Sequence, residues 1–354
     1  MHGKQTRQLK VGPVAIGGGA PVTVQSMTNT DTRDVDATVA QIRRLEEAGC
    51  DIARVAVPDA EAANALADIK RQIRIPLVAD IHFDHRLALK AIDAGVDKLR
   101  INPGNIGARD KVEAVARAAA QRGVPIRIGV NAGSVDTAAY GEPSAEALAR
   151  SALDQVRVLE DLDFHDIVIS LKAFDVPMTV AAYRRMSELV DYPLHLGVTE
   201  SGLAREGTIR SAVGIGALLA EGIGDTLRVS LTADPVEEVQ VGMEILYSLN
   251  LREPRFAIIS CPVCGRCGID ITALAEDVRE RLSDRPPARP LKVAVMGCAV
   301  NGPGEARMAD VGITGGAGVG MVFVKGEPAR KVSEDRLVDE LMKEIERIES
   351  DQKS

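Results

Sequence analysis

Tryptophan is absent, and aromatic residues make up only 3% of the chain. With a net charge of -8, there are neither the stacking platforms nor the basic surface that a nucleic-acid partner needs, so that class is excluded. No run of about 18 apolar residues exists to span a membrane. The opening Met1-His-Gly-Lys-Gln-Thr-Arg7 carries no apolar signal region. The expectation is a cytoplasmic protein with no membrane partner. Cysteine is scarce as well: there are five, and Cys50 stands alone, which is not a secreted disulfide framework. Cys50 reads as a small core residue. No Gly-x-Gly-x-x-Gly follows the first strand-like run, which argues against an open dinucleotide-binding sheet. The stretch Gly315 to Gly320 lacks a following Lys-Ser/Thr and reads as a tight turn, not a phosphate loop.

The cysteines that are present cluster. Four lie in Cys261-Pro-Val-Cys264-Gly-Arg-Cys267-Gly268 and Met296-Gly-Cys298-Ala-Val-Asn301-Gly-Pro-Gly304-Glu305. The Cys-x-x-Cys pair follows a strand-like apolar run, Phe256 to Ser260, and Cys298 follows another, Leu291 to Val295. Two strand ends thus present thiols to one place. Thiolates so spaced bind a metal or a cluster, or form a redox disulfide. A zinc ribbon shows a second Cys-x-x-Cys, whereas the second half here offers only Cys298. The fourth ligand must come from Cys267, from a non-thiolate such as Glu305, or from a substrate. An incomplete thiolate set is how an iron-sulfur cluster leaves one iron reactive. An iron-sulfur site is the leading reading; structural zinc and ordinary buried cysteines are the alternatives.

A length of 354 residues suggests two domains, and 45% hydrophobic residues suffice for real cores. Residues 9 to 19 read as a hairpin around a Gly-Pro turn, plugging the lower end of a barrel (residues 1–20). Strand-like runs then recur at 22–26, 52–57, 77–80, 98–101, 126–130, 167–171, 194–198 and 226–230, each followed by a helical run. Eight such units predict an α/β fold, a (β/α)8 TIM barrel over residues 21–250. A smaller α+β domain over 251–354 follows a short linker. It should hold strands at 256–260, 291–295, 310–314 and 319–324, a helix over 271–282 and a final helix over 334–349 with Ser333 as N-cap.

Barrel enzymes keep their chemistry at the C-terminal ends of the strands. Those ends carry Gln25 and Ser26, Arg54, Asp80 and His82, Arg100 and Asn102, Arg127 and Asn131, Ser170 and Lys172, Glu200, and Arg228 and Ser230. An unpaired Arg in a buried strand is too costly to be filler. Arg54, Arg100, Arg127, Lys172 and Arg228 converging on one mouth imply an anion, and guanidinium suits phosphate oxygens. His82 could equally be a structural histidine, and Asp80 could simply hold an Arg; His85 and His165 have no supporting constellation.

These residues also carry a resemblance. Cys-Pro-x-Cys-Gly-Arg, Met-Gly-Cys-x-Val-Asn-Gly-Pro-Gly-Glu-Ala and Asp310-Val-Gly312-Ile-Thr-Gly315 resemble the 4-hydroxy-3-methylbut-2-enyl diphosphate synthase family of the non-mevalonate isoprenoid pathway. So do Val24-Gln-Ser-Met-Thr-Asn-Thr30, Asp80-Ile-His-Phe83, Arg100-Ile-Asn-Pro-Gly-Asn105, His195-Leu-Gly-Val-Thr-Glu200 and Gly224-Asp-Thr-Leu-Arg228-Val-Ser230. The resemblance covers essentially the whole chain. It implies one 4Fe-4S cluster held by Cys261, Cys264, Cys298 and Glu305, with Glu305 as a labile cap and Cys267 a spare thiol that departs from the family pattern. It implies diphosphate binding by Arg54, Arg100, Arg127, Asn131, Lys172, Arg228 and Ser230, and an acid or base at Glu200. The reaction implied is reductive ring opening of 2-C-methyl-D-erythritol 2,4-cyclodiphosphate, with electrons from flavodoxin or ferredoxin. A homodimer with each active site completed in trans is expected, because a short linker leaving the last helix starts a barrel length from the mouth. Two other function classes compete: a phosphate-binding barrel lyase or pterin transferase with a structural zinc tail, and a non-catalytic iron or redox sensor. The cationic barrel mouth argues against the sensor.

Overall fold

The computed structural model describes residues 5–265, 267–297, 307–316 and 318–351. The chain divides into two compact units, Met1–Arg252 and Glu253–Ser354.

The first unit opens with β1 (Leu9–Val11) and β2 (Val14–Ile16), an antiparallel hairpin turning at Gly12, whose φ of +56° favours glycine. Leu9, Val11 and Ile16 pack on Ile52, Val78 and Val168. Those three lie at or near the start of their strands, so the hairpin closes the N-terminal end of the barrel. The barrel strands are β3 (Thr23–Met27), β4 (Ile52–Ala56), β5 (Leu77–Asp80), β6 (Lys98–Ile101), β7 (Ile126–Asn131), β8 (Ile167–Lys172), β9 (His195–Leu196) and β10 (Thr226–Leu227). They pair in parallel in the order β8-β7-β6-β5-β4-β3-β10-β9. A parallel bridge between Ile169 and Leu194 joins the two ends of that order and closes the barrel.

Residues that alternate outward along the strands, such as Ala53, Val55, Leu99, Ile128 and Ile169, meet the helices in one large apolar core. Many of the turns into the helices are set by aspartate. Asp34, Asp59, Asp84, Asp175 and Asp234 each cap a helix by accepting a backbone N–H of its first turn. Cys50 is buried in the same core, and burial pushes its thiol up to about 12. The expected runs 194–198 and 226–230 shrink to two-residue strands. At Gly197 a Cβ would lie 2.5 Å from Lys172 Nζ and 2.6 Å from the Arg228 carbonyl oxygen, so a buried cation fills the space that a regular strand residue would need.

The second unit is a five-stranded sheet in the order β11 (Phe256–Ser260), β12 (Leu291–Met296), β13 (Val311–Gly316), β14 (Val319–Val324), β15 (Glu327–Ser333). The first three strands run parallel and the last two are antiparallel. Helices Ile271–Asp284 and Leu337–Asp351 supply Val278, Leu282, Leu341 and Ile345 to a core with Val293, Val295, Ile313 and Val322. Gly315 and Gly320 pair across the β13–β14 hairpin. Strand β15 goes beyond the expectation. It is a mostly exposed edge strand whose charged residues and Pro328 hide any alternating pattern. Its turn is Lys325-Gly326, both at positive φ (+50° and +80°), the two-residue hairpin geometry. The final helix also differs at its start: Ser333 precedes a short 3-10 turn, Glu334–Arg336, and its side chain makes no capping bond.

Candidate active site

At the C-terminal end of the barrel lies a cavity of about 130 Å³. Strands β4 to β6 contribute Arg54, Asp80 and Arg100, with His82 just beyond β5. Strands β7 and β8 contribute Arg127, Asn131 and Lys172. Thr199, Arg228 and Ser230 follow the two short strands β9 and β10. Five cations therefore face one carboxylate.

The local geometry explains how these cations are held apart and aimed. Asp80 Oδ1 accepts a bond from Arg100 Nη1 at 3.1 Å, and its Oδ2 lies 3.9 Å from Arg54 Nε. His82 Nε2 sits 2.9 Å from Arg100 Nη1 and 3.5 Å from Asp80. Burial opposes the Asp80 charge, but Arg54, His82 and Arg100 outweigh it and hold the carboxyl well below the usual range. Arg54 also donates to Met27 Sδ from Nε and Nη2, and burial pulls its guanidinium down to about 9 against the attraction of Asp80. Arg127 donates to Ser170 Oγ at 2.6 Å. Burial, with neighbouring arginines adding repulsion, depresses both Arg127 and Lys172 strongly. Among the described residues no carboxylate lies within ion-pair distance of either. A cavity with this surplus of buried positive charge suits an anion.

Several contributors were not among the sequence candidates. Glu238, buried in the first turn of the helix Pro235–Ser248, lies 3.5 Å from Arg228 Nε. It also accepts from Ser26 Oγ at 3.1 Å and from the Leu231 N–H at 2.9 Å. A glutamate there ordinarily faces solvent, and no local pattern marks this one as inward. Thr199, next to the expected Glu200, lines the cavity in its place. Two glycines did carry a signal: a Cβ at Gly129 would come 2.8 Å from Arg100 Nε, just as one at Gly197 would meet Lys172. Glycine at an inward strand position marks the path of a long side chain.

Two expected residues stand apart from the cavity lining. Asn102 is buried at the end of β6. Glu200 is exposed, with a left-handed φ of +53° that a glutamate adopts only under constraint.

In the second unit, Cys261 and Cys264 follow β11 as free thiols, Cys264 exposed. Cys261 Sγ accepts the N–H of Gly297 at 3.3 Å, so it lies beside the residue that precedes Cys298. An amide aimed at sulfur is a favourable setting for a thiolate ligand. Cys267 lies at the same glycine, packed against Gly297, with its thiol donating to the Ile269 carbonyl oxygen at 3.2 Å. Cys298 and Glu305 lie outside the described residues, as do Asn301 to Gly304. Among the described residues no three His, Cys, Asp or Glu side chains gather as a metal site. The free Cys261 and Cys264 fit two ligands of a thiolate-held cluster. Among the described residues, no helix is long and apolar enough to cross a membrane.

Comparison with known proteins agrees with both units. The family model of the GcpE TIM-barrel domain matches residues 6–243, and that of the GcpE protein C-terminal domain matches residues 257–347. A Bacillus pumilus protein named 4-hydroxy-3-methylbut-2-en-1-yl diphosphate synthase (flavodoxin) is 59% identical over 350 residues, 98% of this chain and 94% of its own length. A Bacillus anthracis protein of the same name is 59% identical over 98% of this chain and 95% of its own. Among solved structures, a Yersinia pestis dihydropteroate synthase superposes with a TM-score of 0.51 at 13% identity, covering 69% of this chain and 97% of that one. A Leptospira N-acetylneuraminic acid synthetase gives 0.52 at 12%, over 80% of this chain and 100% of that one. Those two likenesses show the barrel fold alone. The matches across both units and the high identity over nearly the full chain decide the family: this chain belongs to the GcpE family of 4-hydroxy-3-methylbut-2-en-1-yl diphosphate synthases.

Proposed function

We propose that the protein converts 2-C-methyl-D-erythritol 2,4-cyclodiphosphate to 4-hydroxy-3-methylbut-2-enyl diphosphate by reductive ring opening and loss of water. The observation that carries this reading is the cavity of five cations and one carboxylate, buried at the catalytic end of a barrel in a chain of this family. A cyclic diphosphate brings the negative charge that Arg127 and Lys172 lack. Arg54 and Arg100, steadied by Asp80, bind the same diphosphate from the adjacent strands, and Arg228 does so from its seat on Glu238. Asn131 and Ser230 complete the polar contacts. Holding both phosphates fixes the ring, so that the C–O bond to be broken points out of the mouth. Glu200, exposed on the loop after β9, holds or moves a proton near the leaving oxygen.

A single 4Fe-4S cluster, held by Cys261, Cys264, Cys298 and Glu305, would supply two electrons one at a time. Flavodoxin is the donor in this reading, following the names of the relatives. Cys267, whose thiol donates to the Ile269 carbonyl oxygen, is read as a spare thiol beside the ligands.

The assembly proposed is a homodimer in which the second unit of one protomer covers the barrel mouth of its partner. The last barrel helix, Pro235–Ser248, ends on the side of the barrel away from the cavity. Exposed Phe83, Phe174 and Leu203 lie on the loops after β5, β8 and β9, and in the second unit exposed Val263 lies between Cys261 and Cys264 while exposed Met308 follows the second cysteine segment. Large apolar side chains beside a candidate site point to a face that is covered.

A barrel transferase with a structural zinc tail has no comparable support, since the likeness to dihydropteroate synthases is confined to the fold. The test is to purify the protein without oxygen and assay iron and sulfide. It is then incubated with the cyclic diphosphate and reduced flavodoxin. A brown protein that forms the linear allylic diphosphate supports the reading; a colourless zinc protein that leaves the substrate intact refutes it.

A further inference from the structure

The interior of a (β/α)8 barrel is normally filled by layers of branched apolar side chains. Here the inward positions below the cavity are mixed: beside the apolar Ile52, Val78 and Val168, which meet the hairpin, stand five polar side chains. Thr23 and Gln25 reach in from β3, Lys98 from β6, Arg127 from β7 and His195 from β9, all of them at most 3% exposed. Each has a side-chain atom without a hydrogen-bond partner: Thr23 Oγ1, both ends of the Gln25 amide, Lys98 Nζ, Arg127 Nε and Nη2, and His195 Nε2. The register sets them near one level. Thr226 pairs with Thr23 on one side and with His195 on the other, and Lys98 pairs with Val78, one step below the Arg100–Arg127 pair. One unsatisfied buried group is an exception that calls for an explanation, and five on four inward-facing strands call for a shared partner.

The charges say what kind. The buried carboxylates of the barrel interior are engaged elsewhere, Asp80 with Arg54 and Arg100 and Glu238 with Arg228, Ser26 and the Leu231 N–H. The charges that bear on Lys98 are the cations Arg127 and Arg54, and those that bear on His195 are Arg127, Lys172, Lys98 and Arg54. Water would satisfy the hydrogen bonds but leave several buried positive charges uncompensated. A small anion does both.

We propose that the barrel binds a monovalent anion of chloride size beneath the substrate cavity, between Lys98 and Arg127, with the Gln25 amide, the Thr23 hydroxyl and His195 as further donors. Burial and Arg127 press Lys98 toward its neutral form, and the bound anion restores its charge. The ion also balances Arg127 from below, leaving that guanidinium's upper face to the cavity. This site is independent of which diphosphate binds above it.

The test uses the full-length holoenzyme crystallised in bromide with substrate bound, so that the cavity above is occupied. An anomalous peak within hydrogen-bond distance of Lys98 Nζ and Arg127 is expected. Lys98→Met should abolish that peak while any bromide elsewhere persists. In solution, thermal stability of the wild type should rise with chloride relative to gluconate at equal ionic strength and level off as the site fills; Lys98→Met should show no such difference. Ordered water alone at this position, or the same halide response in the variant, would overturn the proposal. Should Lys98→Met fail to fold, the wild-type anomalous map decides.

Discussion

Each arginine of the cavity has its own local contact, so removing one should have a definite effect. Arg54, Arg100, Arg127 and Arg228 changed singly to Ala should each weaken substrate binding by about 1.5–3 kcal/mol, roughly ten- to over a hundredfold. The visible spectrum of the cluster should not change. Unchanged affinity across the set would make these arginines structural. Glu238→Gln should act through Arg228, raising KM several-fold while sparing kcat; a loss confined to kcat would contradict that positioning role. Lys172 adds a pH dependence. Burial lowers its value in the free protein, and an arriving dianion raises it again. Binding therefore takes up a proton in the window between the lowered value and the ordinary one near 10.4, and affinity falls as pH rises through that window. Calorimetry in buffers of different ionisation enthalpy would show this uptake, and binding without it would count against the lysine. For the thiols, Cys261→Ser, Cys264→Ser and Cys298→Ser should lose the cluster and Cys267→Ser should keep it, as iron and sulfide analysis would reveal.

At the scale of elements, strand ends carried most of what could be read in advance. Arg and Lys at inward strand positions have no cheap structural explanation, so Arg54, Arg100, Arg127, Lys172 and Arg228 stand out from the sequence. They all line the cavity. Glu238 did not stand out, because a helix-borne glutamate looks the same from the sequence whether it faces water or a buried arginine. Strand β15 was hidden for a related reason: an edge strand is protected by charge and proline, which erases the alternation that reveals strands. Its Lys325-Gly326 turn was the available signal. Gly197→Ala would place a Cβ against both a backbone carbonyl and Lys172 Nζ. It should displace Lys172 and reduce substrate affinity more than it reduces stability. Calorimetric Kd and thermal unfolding measured together check this, and a variant with wild-type affinity would show that the space is not needed.

For the whole molecule, the division into a barrel and a cysteine-bearing sheet domain was readable from periodicity, and the two compact units part at Arg252 and Glu253. Which subunit completes which site is not written in local pattern, because it depends on how separate units meet. Mixing Glu200→Gln with Cys298→Ser protomers under conditions of subunit exchange should restore activity in heterodimers. No recovery despite proven exchange would favour sites completed within one chain. The claim on which everything else rests is that the cationic barrel cavity holds the cyclic diphosphate while it is reduced. Phosphorus NMR of a single turnover tests it most directly, using the wild type and Arg127→Ala at matched iron and sulfide content with reduced flavodoxin. The wild type should convert the cyclic resonances to those of the linear diphosphate, and at subsaturating substrate the variant should convert them at least tenfold more slowly. Equal conversion by both proteins would place the chemistry somewhere other than this cavity.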